Sequence, residues 1–547
     1  MYKRIIPLCL MLASSWGMWA QSQYDAARLS SSELNGTARY VGMGGAMGAL
    51  GADITTMSTN PAGTGLFRGN DVSLSFGFNK NMTSSSFNGT QLKDERLKAS
   101  FDQAGFIYSN KMGNHTTLRY FNFGFNYRKV ANFNRQFRSG GQLNGFSMSR
   151  QMTDMLIGAD FAYAEDMQNI MDADNPYIDS RFNSGNVNPT YLSMMGVRTG
   201  LVETGGTADD LYFLNYEGLQ GDYFSREEGG INNYDMNVSF NILDRFYVGA
   251  TLGVYDINYN RYSSYGETVA LDGNDNGNFS LGNWFSSEGT GLDFKLGVIF
   301  RPLEDSPFRI GLAVHTPVWY DMTDRYTAAL NTKLSNMPED YNENLSDYLQ
   351  PDYVLDYRFR SPWKVNLSAG TTLSNIMAIG VEYEYAGYSS IGYKDVEGYS
   401  WDNVDMMSEK YLQDTHTFKV GVESNLTDNF SVRCGYNYQT SPIKTNSVKY
   451  VPNIESQMNN YIWYDETRTD PEYHNLKARN TFTFGLGYRG RIVYADLAYK
   501  YDFYKSDFYA FDDYVFSEDG NSIVGRNKGA KVDHERHQLL FTIGAHF

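Results

Sequence analysis

Alternation of apolar and polar residues runs through most of the chain from residue 71 to the C-terminus. In the first such segment Val72, Leu74, Phe76 and Phe78 share one face, and the residues between them are small or polar. In the last segment apolar residues again occupy every second position, and the final one is Phe547. Because successive side chains of a strand point to opposite faces, this pattern predicts β-strands with one apolar and one polar face.

The connections between these segments distinguish a barrel from a soluble sandwich. The links between strands 4 and 5, 6 and 7, 8 and 9, 10 and 11, and 12 and 13 are short and polar, and the intervening links are long. Short turns that alternate with long loops, in an even number of strands, are typical of outer-membrane barrels. The sequence therefore predicts an all-β fold, a 14-stranded antiparallel transmembrane β-barrel with both termini in the periplasm. The predicted strands are 71–80, 100–110, 117–134, 229–241, 245–265, 289–302, 307–327, 353–372, 376–393, 414–426, 430–440, 479–489, 492–505 and 533–547.

The charged residues within these strands give an independent test of which face of each strand meets lipid. A Lys or Arg facing lipid at mid-membrane costs about 2–4 kcal/mol. The charges fall on the polar phase, which indicates lipid outside and a polar lumen inside. They are Asp293, Lys295, Lys364, Glu382, Glu384, Arg433, Asp496 and Lys500.

The N-terminus has the features of an export signal. Lys3 and Arg4 precede an apolar run, and Ala20 is a plausible last residue before cleavage, so residues 1–20 are predicted to be a signal peptide. Cys9 lies inside that run and leaves Cys434 without an internal disulfide partner. The net charge of −17 argues against nucleic acid as a partner.

Residues 21–70 precede the strands, and their stretch Ala38–Leu66 is rich in glycine and poor in charge. Its glycines superficially suggest a nucleotide loop, but no strand precedes them and no βαβ unit follows, so this interpretation fails. We expect a plug that packs closely inside the barrel formed by residues 71–547. The segment ends in Asn60-Pro61-Ala62-Gly63, where Asn60 is expected to hydrogen-bond the barrel wall and Pro61 to stiffen a turn.

The motif Asn60-Pro61-Ala62-Gly63 resembles the hatch of FadL-type outer-membrane transport proteins. The stretches 311–320 and 361–364 are similar to strands of Bacteroidetes-type members of that family. The resemblance implies a channel for passive uptake of hydrophobic small molecules such as long-chain fatty acids, with outer capture, passage past the hatch and lateral release beside a kinked strand. Strand 3, which loses alternation over Tyr127–Phe133, is the candidate for that kink.

Six residues of the wall are candidates for the ligand path. They are His315, Pro317, Trp319, Glu382, Glu384 and Arg433. Pro317 and Pro362 lie within strands 7 and 8, where each predicts a bulge or local opening because proline cannot donate to the ladder. Paired carboxylates can perform acid–base chemistry, but lumen charges more often pair with one another, so we predict no enzyme.

The largest outer loop is predicted over 135–228. Met148, Met152, Met155 and Leu156 recur there at helical spacing. They predict either a small helix packed on the barrel rim or an adaptable capture surface for an apolar ligand.

Asp272–Gly277 has the opening of a calcium loop, but position twelve is Asn283, where a bidentate Glu belongs. A solvated loop is favoured, and no metal or cofactor is expected.

The expected partners are a hydrophobic small-molecule ligand and outer-membrane lipid, and the sequence does not indicate an oligomeric state. Alternative functions are a FadL-like binding or shuttle component of an outer-membrane secretion system, uptake of haem or aromatic compounds, and a barrel enzyme, which lacks a convincing catalytic set.

Overall fold

Fourteen antiparallel strands form one closed barrel in the computed structural model, which describes residues 21–113, 116–159, 161, 163–183, 188–207, 210–350, 352–374, 376–449, 467–516 and 523–547. Each strand pairs with its neighbours along the chain, and the last returns to the first, with Val72 opposite Ala545 and Lys80 opposite His537. The strands are β1 (Asp71–Phe87), β2 (Thr90–Lys111), β3 (Leu118–Asn132, continued by Arg135–Gly145), β4 (Glu217–Ile242), β5 (Phe246–Leu271), β6 (Asn274–Phe300), β7 (Arg309–His315 and Trp319–Leu334), β8 (Tyr353–Arg360 and Trp363–Leu373), β9 (Met377–Gly387), β10 (Thr415–Asn425), β11 (Phe430–Gln439), β12 (Arg479–Arg489), β13 (Val493–Tyr509) and β14 (Ala530–His546).

The predicted strand count and order are confirmed, but two of the predicted long loops are wrong. β1 and β2 continue as one hairpin to the turn Asn88-Gly89, and β5 and β6 continue to the turn Asp272-Gly273. Both residues of each turn have positive φ, which suits two-residue hairpin turns. The outward face of the β5–β6 extension is mainly polar, as at Asn258 and Thr268, whereas its inward face buries residues such as Tyr265 and Phe279. The lipid-facing pattern that identified the strands therefore ends before the strands do.

The two faces of the wall have the predicted polarity. In β1, Phe76 is 41% exposed on the outside, whereas Ser75 is fully buried on the lumen side. In β6, Leu296 faces outward and its neighbour Lys295 is buried inside. An apolar outer band around a polar lumen is the arrangement of a barrel solvated by lipid.

Short helices and hairpins cover the long-loop end. The segment predicted as an outer loop over 135–228 begins and ends within the sheet, and its central part forms a helical cluster. None of the helices in the described residues is long and apolar enough to cross a membrane. The α-helices are α1 (Gln23–Leu29), α2 (Ala38–Gly42), α3 (Met148–Gly158), α4 (Ala164–Asp172), α5 (Ser180–Asn183), α6 (Tyr191–Arg198) and α7 (Asp402–Tyr411); 3₁₀ helices cover Ile54–Ser58, Pro61–Leu66, Leu345–Asp347 and Tyr388–Ser390; short strands outside the fourteen are Thr204–Thr207, Asp210–Phe213, Tyr341–Asn344, Gly392–Lys394, Tyr473–Leu476, Tyr514–Phe516 and Ile523–Arg526.

The N-terminal segment runs through the lumen towards the short-turn end. The side chain of Gln21 donates to Asp324 in the outer part of β7, and the ring of Tyr24 lies 5.0 Å from that of Tyr473. At the other end the N–H of Asn70 donates to the carbonyl of Phe547. Residue 21 therefore contacts the wall about halfway along the strands, whereas the C-terminus lies at the short-turn end. The periplasmic location of both termini stays a prediction, because strand parity constrains where β1 begins and not where the plug begins.

Candidate functional site

Buried ion pairs anchor the plug to the wall near the short-turn end. The guanidinium of Arg39 binds Glu423 of β10 through two hydrogen bonds of 2.9 Å. Arg433 of β11 binds the same carboxylate and also Asp496 of β13. Because all four side chains are largely buried, loss of one partner would leave a neighbour uncompensated. Arg433 is therefore part of the plug anchorage and does not line the central cavity described below.

A second anchor explains the inward pair of glutamates. Glu382 accepts a hydrogen bond of 3.0 Å from the plug N–H of Gly48 and another of 2.8 Å from Lys419. Glu384 binds the same lysine at 3.1 Å. Both carboxylates are therefore paired with Lys419, and Glu382 also binds the plug. The sequence analysis favoured such pairing over acid–base chemistry.

The Asn60-Pro61-Ala62-Gly63 motif forms the start of a 3₁₀ helix that is buried at the barrel wall. Asn60 caps this helix by accepting from the N–H of Ala62, and its amide donates to the carbonyl of Gly48 at 2.8 Å. Asn60 thus ties together two parts of the plug, and the expectation of a hydrogen bond from Asn60 to the wall is wrong. The wall bonds come from neighbours of the motif: His315 and the amide of Asn366 contact the carbonyl of Thr59 at 2.9 and 3.0 Å.

Wall glycines on three adjacent strands make room for the motif. A Cβ at Gly249 would lie 2.3 Å from the carbonyl oxygen of Pro61, and one at Gly297 would lie 2.1 Å from Oδ1 of Asn60. A Cβ at Gly311 would lie 2.9 Å from Nδ2 of Asn60. Contacts under 3.0 Å cannot be accommodated without movement, so the plug fits because these positions lack side chains. The sequence analysis did not single out these three glycines. They could have been found as glycines at lumen-facing positions of three neighbouring strands.

A central cavity of about 90 Å³ lies in the lumen beside the plug. His315 and Glu384 line it, together with Arg128 of β3 and Lys364 of β8. Within the described part of the chain, neither Arg128 nor Lys364 forms a hydrogen bond or ion pair, and Nε of Arg128 is buried without a partner. By contrast, the nearby Lys295 is paired with two carboxylates at 2.8 Å. The cavity therefore has two cationic groups available to an anion.

The remaining candidates of the wall are divided between its two faces. Pro317 is buried directly beside the central cavity, at the interruption of β7. It lies next to Val318, whose N–H donates to the hydroxyl of Ser361 at 2.8 Å. Trp319 is 52% exposed on the outer face, so its placement in the ligand path is wrong. The interruption at Pro317 reverses which residues of β7 point into the lumen: odd-numbered residues do so up to His315, and even-numbered residues do so from Tyr320 onward. The prediction from the sequence assumed one uninterrupted alternation.

A larger outer lumen cavity of about 260 Å³ lies towards the long-loop end. Its walls combine aromatic side chains such as Phe133 and Tyr259 with charged ones such as Arg479 and Arg536. Glu33 of the plug lines both this cavity and the central cavity. The plug therefore contributes to the walls of both cavities.

The four residues predicted as an outer capture surface are buried. Met148, Met152, Met155 and Leu156 are at most 7% exposed and form part of the core of the helical cluster. The alternative prediction of a helix packed on the rim agrees with this placement. An open apolar pocket of about 260 Å³ lies next to the cluster, lined by side chains that include Leu143, Phe146, Tyr223, Phe508 and Phe511.

The sheet has a gap in its hydrogen-bond ladder between β2 and β3. In the described residues the two strands pair from Lys111–Tyr120 up to Gln103–Arg128, and beyond this point β2 pairs with β1 while β3 pairs with β4. The continuation of β3 carries carbonyls that accept from side chains of β1, for example Ser85 to Arg138 at 2.8 Å. The gap coincides with the region Tyr127–Phe133, in which the register shifts after Lys129.

The Asp272–Gly277 segment is a hairpin turn that continues into β6. Asp275 accepts from the N–H of Gly277, and Asn276 donates to Asn336. These side chains are therefore engaged in local hydrogen bonds. Among the described residues no group of three or more His, Cys, Asp or Glu is placed to hold a metal ion.

The ring of fourteen strands, its apolar outer band and the internal plug define a plugged transmembrane β-barrel. Residues 229–458 match the family model described as outer membrane protein transport protein (OMPP1/FadL/TodX). Over this segment the chain is similar to the FadL-type family of outer-membrane transport proteins.

A solved structure with a TM-score above 0.5 agrees with this fold. A Pseudomonas aeruginosa FadL homologue has a TM-score of 0.51 at 11% identity, covering 94% of this chain and 99% of the homologue. The toluene transporters TodX of P. putida and TbuX of Ralstonia pickettii have TM-scores of 0.45 and 0.43 at 10% and 14% identity, and each match covers 94% of this chain and 99% of the transporter. No curated protein matches the chain in sequence.

Proposed function

We propose that the protein takes up long-chain fatty acids passively across the outer membrane, with its short-turn end in the periplasm. The family match supports transport of hydrophobic compounds. The observation that carries the more specific proposal is the pair of unpartnered cations, Arg128 and Lys364, at the central cavity. The central cavity, at about 90 Å³, is smaller than the outer lumen cavity of about 260 Å³, which suits a head group better than a whole alkyl chain.

A carboxylate is the head group that these two cations fit best. A buried charge without a partner is costly, and hydrogen bonds to charged groups contribute about 1.5–3 kcal/mol each. A ligand carboxylate would pair both cations at once, whereas a neutral aromatic compound would leave them unpaired. The chemistry of the cavity therefore favours an anionic amphiphile over a monoaromatic hydrocarbon.

The proposed route has three stages. The apolar rim pocket beside the helical cluster captures the alkyl chain at the outer surface. The outer lumen cavity, which has both aromatic and cationic walls, receives the molecule next. From the central cavity the ligand leaves sideways into the membrane through the ladder gap between β2 and β3.

Binding measurements with matched ligands test this proposal. Oleate and oleyl alcohol would be titrated into purified protein in lipid nanodiscs. The double variant Arg128→Gln/Lys364→Gln is expected to weaken oleate binding at least about 100-fold, because two charged hydrogen bonds are lost, and to leave oleyl alcohol binding unchanged.

The matched control is Lys333→Gln, whose side chain is 72% exposed and outside the cavity. It should bind both ligands as the parent does. Equal binding of oleate by the double variant and the parent would contradict the proposal. Binding of toluene that does not depend on either cation would instead favour the aromatic-compound alternative.

A further inference from the structure

The plug covers the ladder gap from inside. The N–H of Glu33 donates to the carbonyl of Val130 at 2.8 Å, on the edge of β3 that β2 leaves unpaired. The amide of Asn35 donates both to the carbonyl of Lys129 on β3 at 3.1 Å and to the carboxylate of Asp102 on β2 at 2.9 Å. Asn35 therefore joins the two sides of the gap at the point where the backbone ladder stops.

One carboxylate fixes this covering segment in place. Oε2 of Glu33 accepts a hydrogen bond of 2.6 Å from Arg536 of β14, and its Oε1 lies 3.9 Å from Arg479 of β12. Glu33 also accepts from the N–H of Asn132 at 3.3 Å. We name Glu33–Asn35 the gap cover.

Both arginines face the cavity through which a ligand would arrive. Arg479 and Arg536 line the outer lumen cavity, and Arg479 and Glu33 also line the central cavity. The guanidinium of Arg479 also stacks over Tyr504 at 4.8 Å, which leaves its edge free to bind a carboxylate. Guanidinium groups recognise carboxylates in a fixed planar geometry, so a ligand carboxylate and the carboxylate of Glu33 are chemically equivalent partners for this pair.

We propose that Arg479 and Arg536 form a carboxylate-exchange site whose resident anion is Glu33. An incoming fatty-acid carboxylate replaces Glu33 on the two arginines, and the released gap cover leaves the edge of β3 and opens the gap. Exchange keeps both arginines paired, and the displaced carboxylate of Glu33 moves into the outer lumen cavity, which it already lines. A neutral ligand of the same shape cannot make this exchange. The inference rests on the proposed function, because it requires an anionic amphiphile as the transported molecule.

Thiol labelling at the gap tests the exchange. Ala131, 1% exposed on β3 beside the cover, would be changed as Ala131→Cys in a Cys434→Ser background. The rate of reaction with a small methanethiosulfonate reports removal of the cover. Saturating oleate is expected to raise this rate about tenfold, and saturating oleyl alcohol should leave it unchanged.

Two variants separate the anion site from the cover. Glu33→Gln removes the resident anion, so the rate without ligand should already be high and oleate should add little. Asn35→Asp places a second carboxylate beside Asp102, and the two carboxylates repel each other in place of the present hydrogen bond. The labelling rate of Ala131→Cys should therefore rise, while oleate binding is retained. Glu304→Gln, a surface change with a side chain 75% exposed, is the control and should behave as the parent. Slower migration of the unheated protein on a gel identifies any variant that has not folded.

The outcomes distinguish the exchange from the transport proposal. If oleate does not bind to the parent protein in a direct titration, the proposed function fails. If oleate binds but does not change the labelling rate, or if oleyl alcohol raises the rate equally, the exchange is refuted and the proposed function stands. Unchanged labelling in Glu33→Gln would also refute it.

Discussion

Replacing Gly297 by alanine should unseat the plug. The new Cβ would lie 2.1 Å from Oδ1 of Asn60 and 2.9 Å from Cδ of Pro61, well inside van der Waals contact. Overpacking of this kind typically costs about 1–3 kcal/mol. Movement of Asn60 to relieve the contact would also weaken its bonds to Gly48 and Ala62, at about 0.5–1.5 kcal/mol each. The expected total is about 3 kcal/mol.

Thiol labelling of the plug measures this cost directly. Ser58, which is 4% exposed, would be changed as Ser58→Cys in the Cys434→Ser background. When local opening is fast relative to labelling, the labelling rate follows the open population, so about 3 kcal/mol corresponds to roughly 100-fold faster reaction.

Gly266→Ala is the matched control, because the nearest heavy atom to its Cβ lies 3.9 Å away. It should leave the rate of Ser58→Cys unchanged. Equal rates in Gly297→Ala and Gly266→Ala, with both barrels folded, would refute the conclusion that the wall glycines seat the motif.

Three further predictions address other parts of the molecule. Lys295→Met should lower the free energy of unfolding by about 3–5 kcal/mol in urea titrations, because two buried carboxylates lose their cation, whereas the exposed Lys333→Met should change it little. Burial raises the pKa of Glu267, on the part of β5 beyond the apolar band, to about 7 from 4.5. The folded protein therefore binds this proton more tightly, and the stabilisation is complete below about pH 4.5 and lost as the pH rises through about 7. Proteolysis of the outer helical cluster should accordingly be faster at pH 8 than at pH 5, and Glu267→Gln should reduce that difference; an identical pH profile in the variant would contradict the assignment. Asp272→Asn/Asp275→Asn should leave calorimetric calcium titrations unchanged from a parent that shows no heat of binding, and stoichiometric calcium uptake by the parent would contradict the assignment of a hairpin turn.

The barrel could be predicted because lipid imposes a rule on every membrane-facing residue. Apolar side chains such as Leu74 and Phe76 must alternate with lumen residues, and charges such as Lys295 must avoid the lipid face, so strand number, order and facing follow from the pattern. Proline also constrains the structure locally, because it cannot donate a hydrogen bond to the ladder. The interruptions of β7 and β8 occur at Pro317 and Pro362. Only the facing of Trp319, just after one such interruption, was misassigned.

The rest depends on contacts between segments that are distant in sequence. The polar hairpins beyond the membrane carry no lipid pattern, so the extensions of β1 and β5 were not predicted. The helical spacing of Met148 and Met152 indicates an apolar face but not what covers it, and here the cluster buries it. The pairing of Glu33 with Arg536 joins residues 503 positions apart, which no local pattern can indicate.

Mass spectrometry of small molecules that remain bound to the gently purified protein tests the central claim most directly. The account predicts a long-chain monocarboxylic acid that is enriched with the parent protein and lost from Arg128→Gln/Lys364→Gln. Enrichment of a neutral aromatic compound, or of the same acid at equal amounts in the double variant, would contradict it.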